Sequence, residues 1–431
     1  MKSLSLRLLM VGLLTSGLLW LTSGLLAATP AVVQDVEEAA ITAVCEDGLA
    51  AGYPCHNVDL VGHMSLAALG ATGDVEGNDH WGWTDPESGR QFVLFGLTTG
   101  TAFVEISDPT APRLLGYLPG KMGESSRWWD QKVYQNYAFI VGDAPTTGGM
   151  QIFDLTQLLS VPLTQTVTFT PTAVYTAFAS SHNLWINEAS ATLYAFRNTG
   201  DTCNAAIHMV DISQPLAPEF VGCLDDGQAP LSDAECMLYD GPDSDYTGRE
   251  ICFIGSDDNV AIADVTDKSE PVILSDFVYP GIVREHQGSL TADKRVWLLS
   301  DTMDEMMNGH RTRTHLIDVQ DLDNPVYLGY HEHETNARDH NVYVNGQFAY
   351  QTNWQAGLRV LHAGRAGAGQ LTEMAYFDTM PDSDSVVNVG AWSNYPWWGD
   401  GLVTVSDIQG GLFILRVDVP QVFVPLLARG E

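Results

Sequence analysis

Residues 103–120 read FVEISDPTAPRLLGYLPG. The phrase returns as HMVDISQPLAPEFVGCLDD at 208–226, VAIADVTDKSEPVILSDF at 260–277 and HLIDVQDLDNPVYLGYHEH at 315–333. Each copy is a short apolar run, an acidic residue, a turn built from Asp and Pro, and a second apolar run. Alternating β-branched runs around such a turn read as two antiparallel strands. Weaker copies are MQIFDLTQLL (150–159), LRVLHAGRAG (358–367) and LFILRVDVP (412–420). Anchored on Glu105, Asp154, Asp211, Asp264, Asp318, His362 and Arg416, the copies step by 49, 57, 53, 54, 44 and 54 residues. Further strand-like runs, such as QFVLFGLTTG, YAFIVGD, ICFIGSDDN and VWLLSD, lie upstream of the anchors. A unit of about 50 residues holds four strands, the size of a propeller blade. The sequence therefore predicts an all-β, seven-bladed propeller over residues 57–419. NVDLVGHMSL (57–66) resembles a fourth strand that lacks its own first three. It is expected to complete the last blade and so remove two exposed sheet edges.

The strand that opens each blade carries a second repeat. Its equivalent residues are His80, Asp130, His182, Glu235, His286, His340 and Trp392, stepping by 50 to 54 residues. The innermost strand of a blade lines the central channel, so four imidazoles and two carboxylates are expected to converge at one mouth. Two uses compete. The residues can hydrogen-bond from blade to blade and hold the ring in register. Alternatively they form a ligand pocket, in its sharpest version a divalent metal on His182, His286 and His340 with Glu235 or Asp130 as acid/base. A separate calcium reading attaches to DSDYTG, where Asp243, Asp245 and Thr247 match the first half of a calcium loop. The twelfth position is Ile254, where the bidentate Glu should stand. The loops 301–310 (DTMDEMMNGH) and 378–385 (DTMPDSDS) read as solvated acidic turns. Trp81, Trp83, Trp128, Trp129, Trp392, Trp397 and Trp398 read as inter-blade packing or as a stacking platform for a flat ligand such as a sugar. The chain has no G-x-S-x-G elbow, H-E-x-x-H helix or P-loop.

Charge and cysteines bound the setting. Fifty-four Asp and Glu against 20 Lys and Arg give a formal net charge of -34, which repels nucleic acid phosphates. Residues 1–28, with Lys2 and Arg7 ahead of the apolar stretch Leu8 to Leu26, read as a secretory signal. No transmembrane domain is expected after its removal. Six cysteines in an exported chain read as disulfides. Clustering suggests Cys45–Cys55, Cys203–Cys223 and Cys236–Cys252 among the 15 possible pairings. The first pair lies in, and gives its character to, an N-terminal segment over 29–56. Residues 420–431 form a tail without an LPxTG-like motif.

The phrases CEDGLAAGYPCHNVDL, GNDHWGWTDPESGRQFVLFGLTTGTAFVEISDP, DGPDSDYTGREICF and GYHEHETNARDHNVYV resemble the choice-of-anchor B family, whose members carry LVIVD-type repeats. The resemblance covers about residues 45–417. It implies an exported bacterial protein, secreted or held at the cell surface, and supplies no defined activity. The expected function is an extracellular recognition or scaffold protein for a ligand or protein partner. The rival is a metal-dependent propeller enzyme of hydrolase or lactonase type.

Overall fold

The structure, a computed structural model, describes residues 41–419 apart from 124, 144–147, 205 and 226–230. The signal stretch, residues 29–40 and the 420–431 tail lie outside the described residues. Seven sheets form the blades, antiparallel throughout except that Val167–Thr168 adds in parallel to the outer strand Arg113–Pro119 of blade 1. Their opening strands are Gly77–Thr84, Trp129–Tyr134, Asn183–Asn187, Leu231–Leu238, Glu285–Leu290, Val342–Asn345 and Ala391–Tyr395. Each packs on the next, and the seventh packs on the first, so the strands ring a central axis. Between the blades lie apolar clusters such as Phe92, Phe103, Phe153 and Leu155, all fully buried.

The full repeated phrase forms the third and fourth strands of blades 1, 3, 4 and 5, and the weaker copies form the third strand of blades 2, 6 and 7. The acidic anchor has a local task. Asp154, Asp211, Asp264 and Asp318 each accept, through Oδ1, the backbone N–H two residues on, at 3.0, 2.7, 2.9 and 3.0 Å. An Asx turn of this kind ends the third strand and reverses the chain. Glu105, one methylene longer, instead pairs with Arg90 at 2.8 Å and Arg113 at 2.9 Å. The register then shifts by one residue in the third-to-fourth pairing, at Phe103/Val104, Met209/Val210, Ile262/Ala263, Leu316/Ile317 and Val360/Leu361. Irregularities of this kind increase local twist.

The glycine of the fourth strand is explained by the neighbouring blade. A Cβ on Gly62, Gly116 or Gly222 would run into the main-chain carbonyl of Pro109, Val167 or Lys268. All three carbonyls belong to the loop between third and fourth strands of the following blade. Backbone approaches backbone there, and only glycine leaves room. Gly222→Val is expected to lower stability by roughly 1–3 kcal/mol through the forced separation of blades 3 and 4. Urea unfolding measures it.

Closure follows the expected pattern. Val58–Met64 pairs antiparallel with Gly411–Val417 and completes blade 7. The preceding hairpin, Leu49–Ala50 with Tyr53–His56, adds to the outer edge of blade 6 through Cys55↔Phe377 and His56↔Tyr376. The three disulfides are Cys45–Cys55, Cys203–Cys223 and Cys236–Cys252, and no free cysteine is present among the described residues.

Candidate functional site

Most of the repeated opening-strand residues lie between blades. Asp130 Oδ2 accepts the Leu184 N–H of the next blade at 2.5 Å, and Glu235 Oε2 accepts that of Leu290 at 2.7 Å. His340 Nδ1 lies 2.6 Å from the Trp392 carbonyl oxygen. A carbonyl only accepts, so Nδ1 carries the proton and the Nε2 lone pair is left. His80 Nε2 meets Thr404 Oγ1 of blade 7 at 2.9 Å. In blade 5 the same task falls to Gln287, whose Oε1 accepts the Val342 N–H at 2.7 Å. An irregularity between Glu285 and Gln287 shifts the strand by one residue, so His286 is not the structural counterpart of Asp130 and Glu235 that its spacing predicts.

His286 is thereby released. Its ring lies 4.2 Å from that of His340, and its buried Nδ1 has no hydrogen-bond partner. Burial, then the charges of His340, His182, Arg284 and Arg197, holds its pKa well below the usual value. Burial likewise lowers His80 and His340 to about 3. These three imidazoles are neutral at pH 7. His182 keeps an 18% exposed side chain and pairs with Asp143 Oδ2 at 3.1 Å. Trp128 stands beside it, 38% exposed.

The same rim holds groups that the sequence reading passed over. Arg197 follows the second strand of blade 3 and pairs with Asp257 of blade 4; it also donates to Ser232 Oγ at 2.8 Å. Arg284, just before the opening strand of blade 5, reaches the same Asp257 carboxylate at 3.1 Å. Two of the chain's 20 Lys and Arg thus share one carboxylate. The available signal was the basic step in REHQGSL, immediately ahead of His286.

Deeper in the channel sits a charged network. Lys132 Nζ is 2.5 Å from Asp130 Oδ1 and 3.9 Å from Asp79 Oδ2, and lies 4.5 Å from the centre of the Trp81 ring. Burial opposes the ammonium charge, but Asp130, Asp79 and Asp233 outweigh it and hold the Lys132 pKa above its ordinary value. Burial raises Asp79 to about 7 against the pull of Lys132, and raises Asp233 strongly. Asp130 is thus both a link to blade 3 and the counter-ion of Lys132.

The tryptophans divide. Trp83, Trp129, Trp392 and Trp398 are buried packing residues. Trp81 and Trp397 form a cluster with Tyr343 and Tyr395, with ring centres 5.0 to 5.8 Å apart. A cavity of about 440 Å³ opens beside it, lined by Trp81, Trp83, Val133, Asn136, Glu188 and Tyr395 among others.

The expected metal sets do not form as tight groups. Among the described residues, the triplets whose ligand atoms all lie within 4.8 Å of one another are Asp201–Cys203–His208 and Asp243–Asp321–Asp323. His182, His286 and His340 are not one of them. Cys203 is tied in a disulfide and so has no thiolate to offer. Asp243 gathers with Asp321 and Asp323 of the blade 5 loop. Its Oδ1 accepts the Asp245 N–H at 3.2 Å and its Oδ2 that of Leu322 at 2.9 Å. The Ile254 position lies in a strand, Glu250–Ser256, as the strand-like flanks imply.

No protein-family model matches the chain, and no curated protein does. Solved structures do. A Lactobacillus plantarum protein aligns with TM-score 0.50 at 13% identity, covering 77% of this chain and 88% of its own. The structure of U3-55K aligns with TM-score 0.53 at 10% identity, covering 83% and 98%. At such identities the likeness concerns the fold alone. No helix among the described residues is long and apolar enough to cross a membrane.

Proposed function

We propose that this is an exported recognition scaffold whose channel mouth receives a ligand bearing an anionic group. The resemblance to the choice-of-anchor B family belongs to the same reading, as do the signal stretch and an extracellular setting. The observation that carries it is the division of the opening-strand residues. Asp130, Glu235, His80 and His340 are spent on links between blades. His182, His286, Arg197, Arg284 and Trp128 remain at the rim. A ligand carboxylate or similar anion would replace Asp257 on the two guanidiniums, with Trp128 as an apolar wall.

The metal-dependent enzyme reading asks Glu235 or Asp130 to move protons, yet both carboxylates are engaged by the neighbouring blade. The test is calorimetric titration with uronate-bearing oligosaccharides and acidic peptides. Arg197→Ala/Arg284→Ala is expected to weaken binding at least tenfold while leaving the fold intact. Unchanged binding would count against the mouth. A stoichiometric transition metal in the parent, lost from folded His182→Ala/His286→Ala/His340→Ala together with a turnover, would install the enzyme reading instead.

A further inference from the structure

The first half of the loop 301–310, which reads as a solvated turn, is folded inward, while Met306 to Gly309 are exposed. Asp301, Asp304 and Glu305 are 0%, 1% and 2% exposed. Asp301 is the cross-strand partner of Glu285, so the two side chains lie on one face of blade 5. Asp339, just ahead of the blade 6 opening strand, donates its N–H to Glu305 Oε1 at 3.1 Å, and its carbonyl accepts from Thr302 Oγ1 at 3.0 Å. Five carboxylates therefore meet between blades 5 and 6, and Glu285 and Asp339 are both fully buried.

Their hydrogen bonds leave a remainder. Asp301 is satisfied by the Val283 and Arg284 N–H groups at 2.6 and 2.7 Å. Asp304 Oδ2 takes His315 Nε2 at 2.9 Å and faces His310 Nε2 at 3.4 Å. Six oxygens meet no hydrogen-bond donor group: both of Glu285, both of Asp339, Oδ1 of Asp304 and Oε2 of Glu305, although the Asp304 and Glu305 carboxyls lie close enough to share a proton. Arg338, the guanidinium beside them, spends its donors on Thr302, Met303 and Asn388. Sealed carboxylates without donors are among the costliest arrangements in a protein interior. Protons alone would require most of the group to be carboxylic acid at neutral pH.

We infer that Glu285, Asp304, Glu305 and Asp339 hold a hard divalent cation, calcium by preference, between blades 5 and 6. Carboxylate oxygens with no sulfur or free imidazole among them suit calcium better than a transition metal. No three of these four residues bring ligand oxygens within 4.8 Å of one another in this structure, so binding requires their side chains to close on the ion. It clamps the two blades and fixes the loop below Arg284 and His340. This site is independent of the ligand proposed for the mouth.

The test uses the full mature protein stripped with EDTA and then given Ca²⁺, Mg²⁺ or Mn²⁺ alone. One Ca²⁺ bound per chain and a clear upward shift of Tm are expected. Glu285→Gln/Asp339→Asn should lose both, while Asp243→Asn, in the exposed acidic triplet, should lose neither. If the double variant does not fold, Glu285→Gln alone with elemental analysis of the parent decides. No ion in the parent overturns the inference, as does binding that survives Glu285→Gln/Asp339→Asn. A double variant that melts higher than the parent in EDTA, with no ion bound by either, would assign the group to protons.

Discussion

A chain shortened to begin at residue 68 should not fold into a closed ring. It would lose Val58–Met64, and with it the fourth strand of blade 7. Val58 and Leu60 are 0% and 1% exposed, and they pack with Val403, Val405, Phe413 and Leu415 in the cluster that joins the last two blades. Removal would also bare the Gly411–Val417 edge, an open row of main-chain donors and acceptors suited to pairing with other chains. The Cys45–Cys55 link and the hairpin on blade 6 would go as well. The expected outcome is aggregation and loss of a cooperative thermal transition, checked by calorimetry and light scattering. The graded version is Leu60→Ala, expected to cost about 2–5 kcal/mol as a cavity in that cluster. A shortened chain that melts cooperatively near the parent Tm would mean that the ring closes without the N-terminal strand.

Such closure could be read from the sequence because the fourth-strand phrase is local. LVGHM at 60–64 carries the same apolar spacing and the same glycine as LLGYL and FVGCL, and the glycine is where the next blade's loop rests. The Asx turns at Asp154, Asp211, Asp264 and Asp318 are equally local, so the third and fourth strands were legible too. The channel was legible only in part. Spacing alone equates His286 with Asp130 and Glu235, because a one-residue irregularity leaves no mark on a repeat of about 50 residues. Composition made 301–310 look like a solvated turn, since its acidic residues face inward for tertiary reasons. The neighbours of Asp243 at Asp321 and Asp323 come from a loop almost 80 residues on, beyond any motif window. Arg197 and Arg284 meet only through Asp257, a contact across two blades.

Replacing Glu235 by Gln should stabilise the protein slightly at pH 5 and more strongly at pH 8. Burial pushes the Glu235 carboxyl up to about 7, while the Leu290 N–H and the Ser289 hydroxyl hold it down less strongly. The unfolded chain has an ordinary Glu near 4.3. The folded state thus binds more protons than the unfolded state between those values. Stability falls as pH rises through that window and is fully reduced above about pH 7. The shift converts to about 4 kcal/mol at most, and the side chain's partial exposure reduces this to roughly 1–3 kcal/mol. Gln keeps an acceptor for the Leu290 N–H and has no charge to bury, so the link from blade 4 to blade 5 survives the change. Taking the difference between variant and parent cancels the titration of Asp79, Asp233 and the blade 5–6 carboxylates, which is present in both. The measurement is urea unfolding of both proteins at pH 5 and pH 8. If Glu235 works as a charged acid/base or as a ligand in a catalytic channel, the order reverses. Glu235→Gln would then be less stable at pH 8, and any turnover would disappear with it.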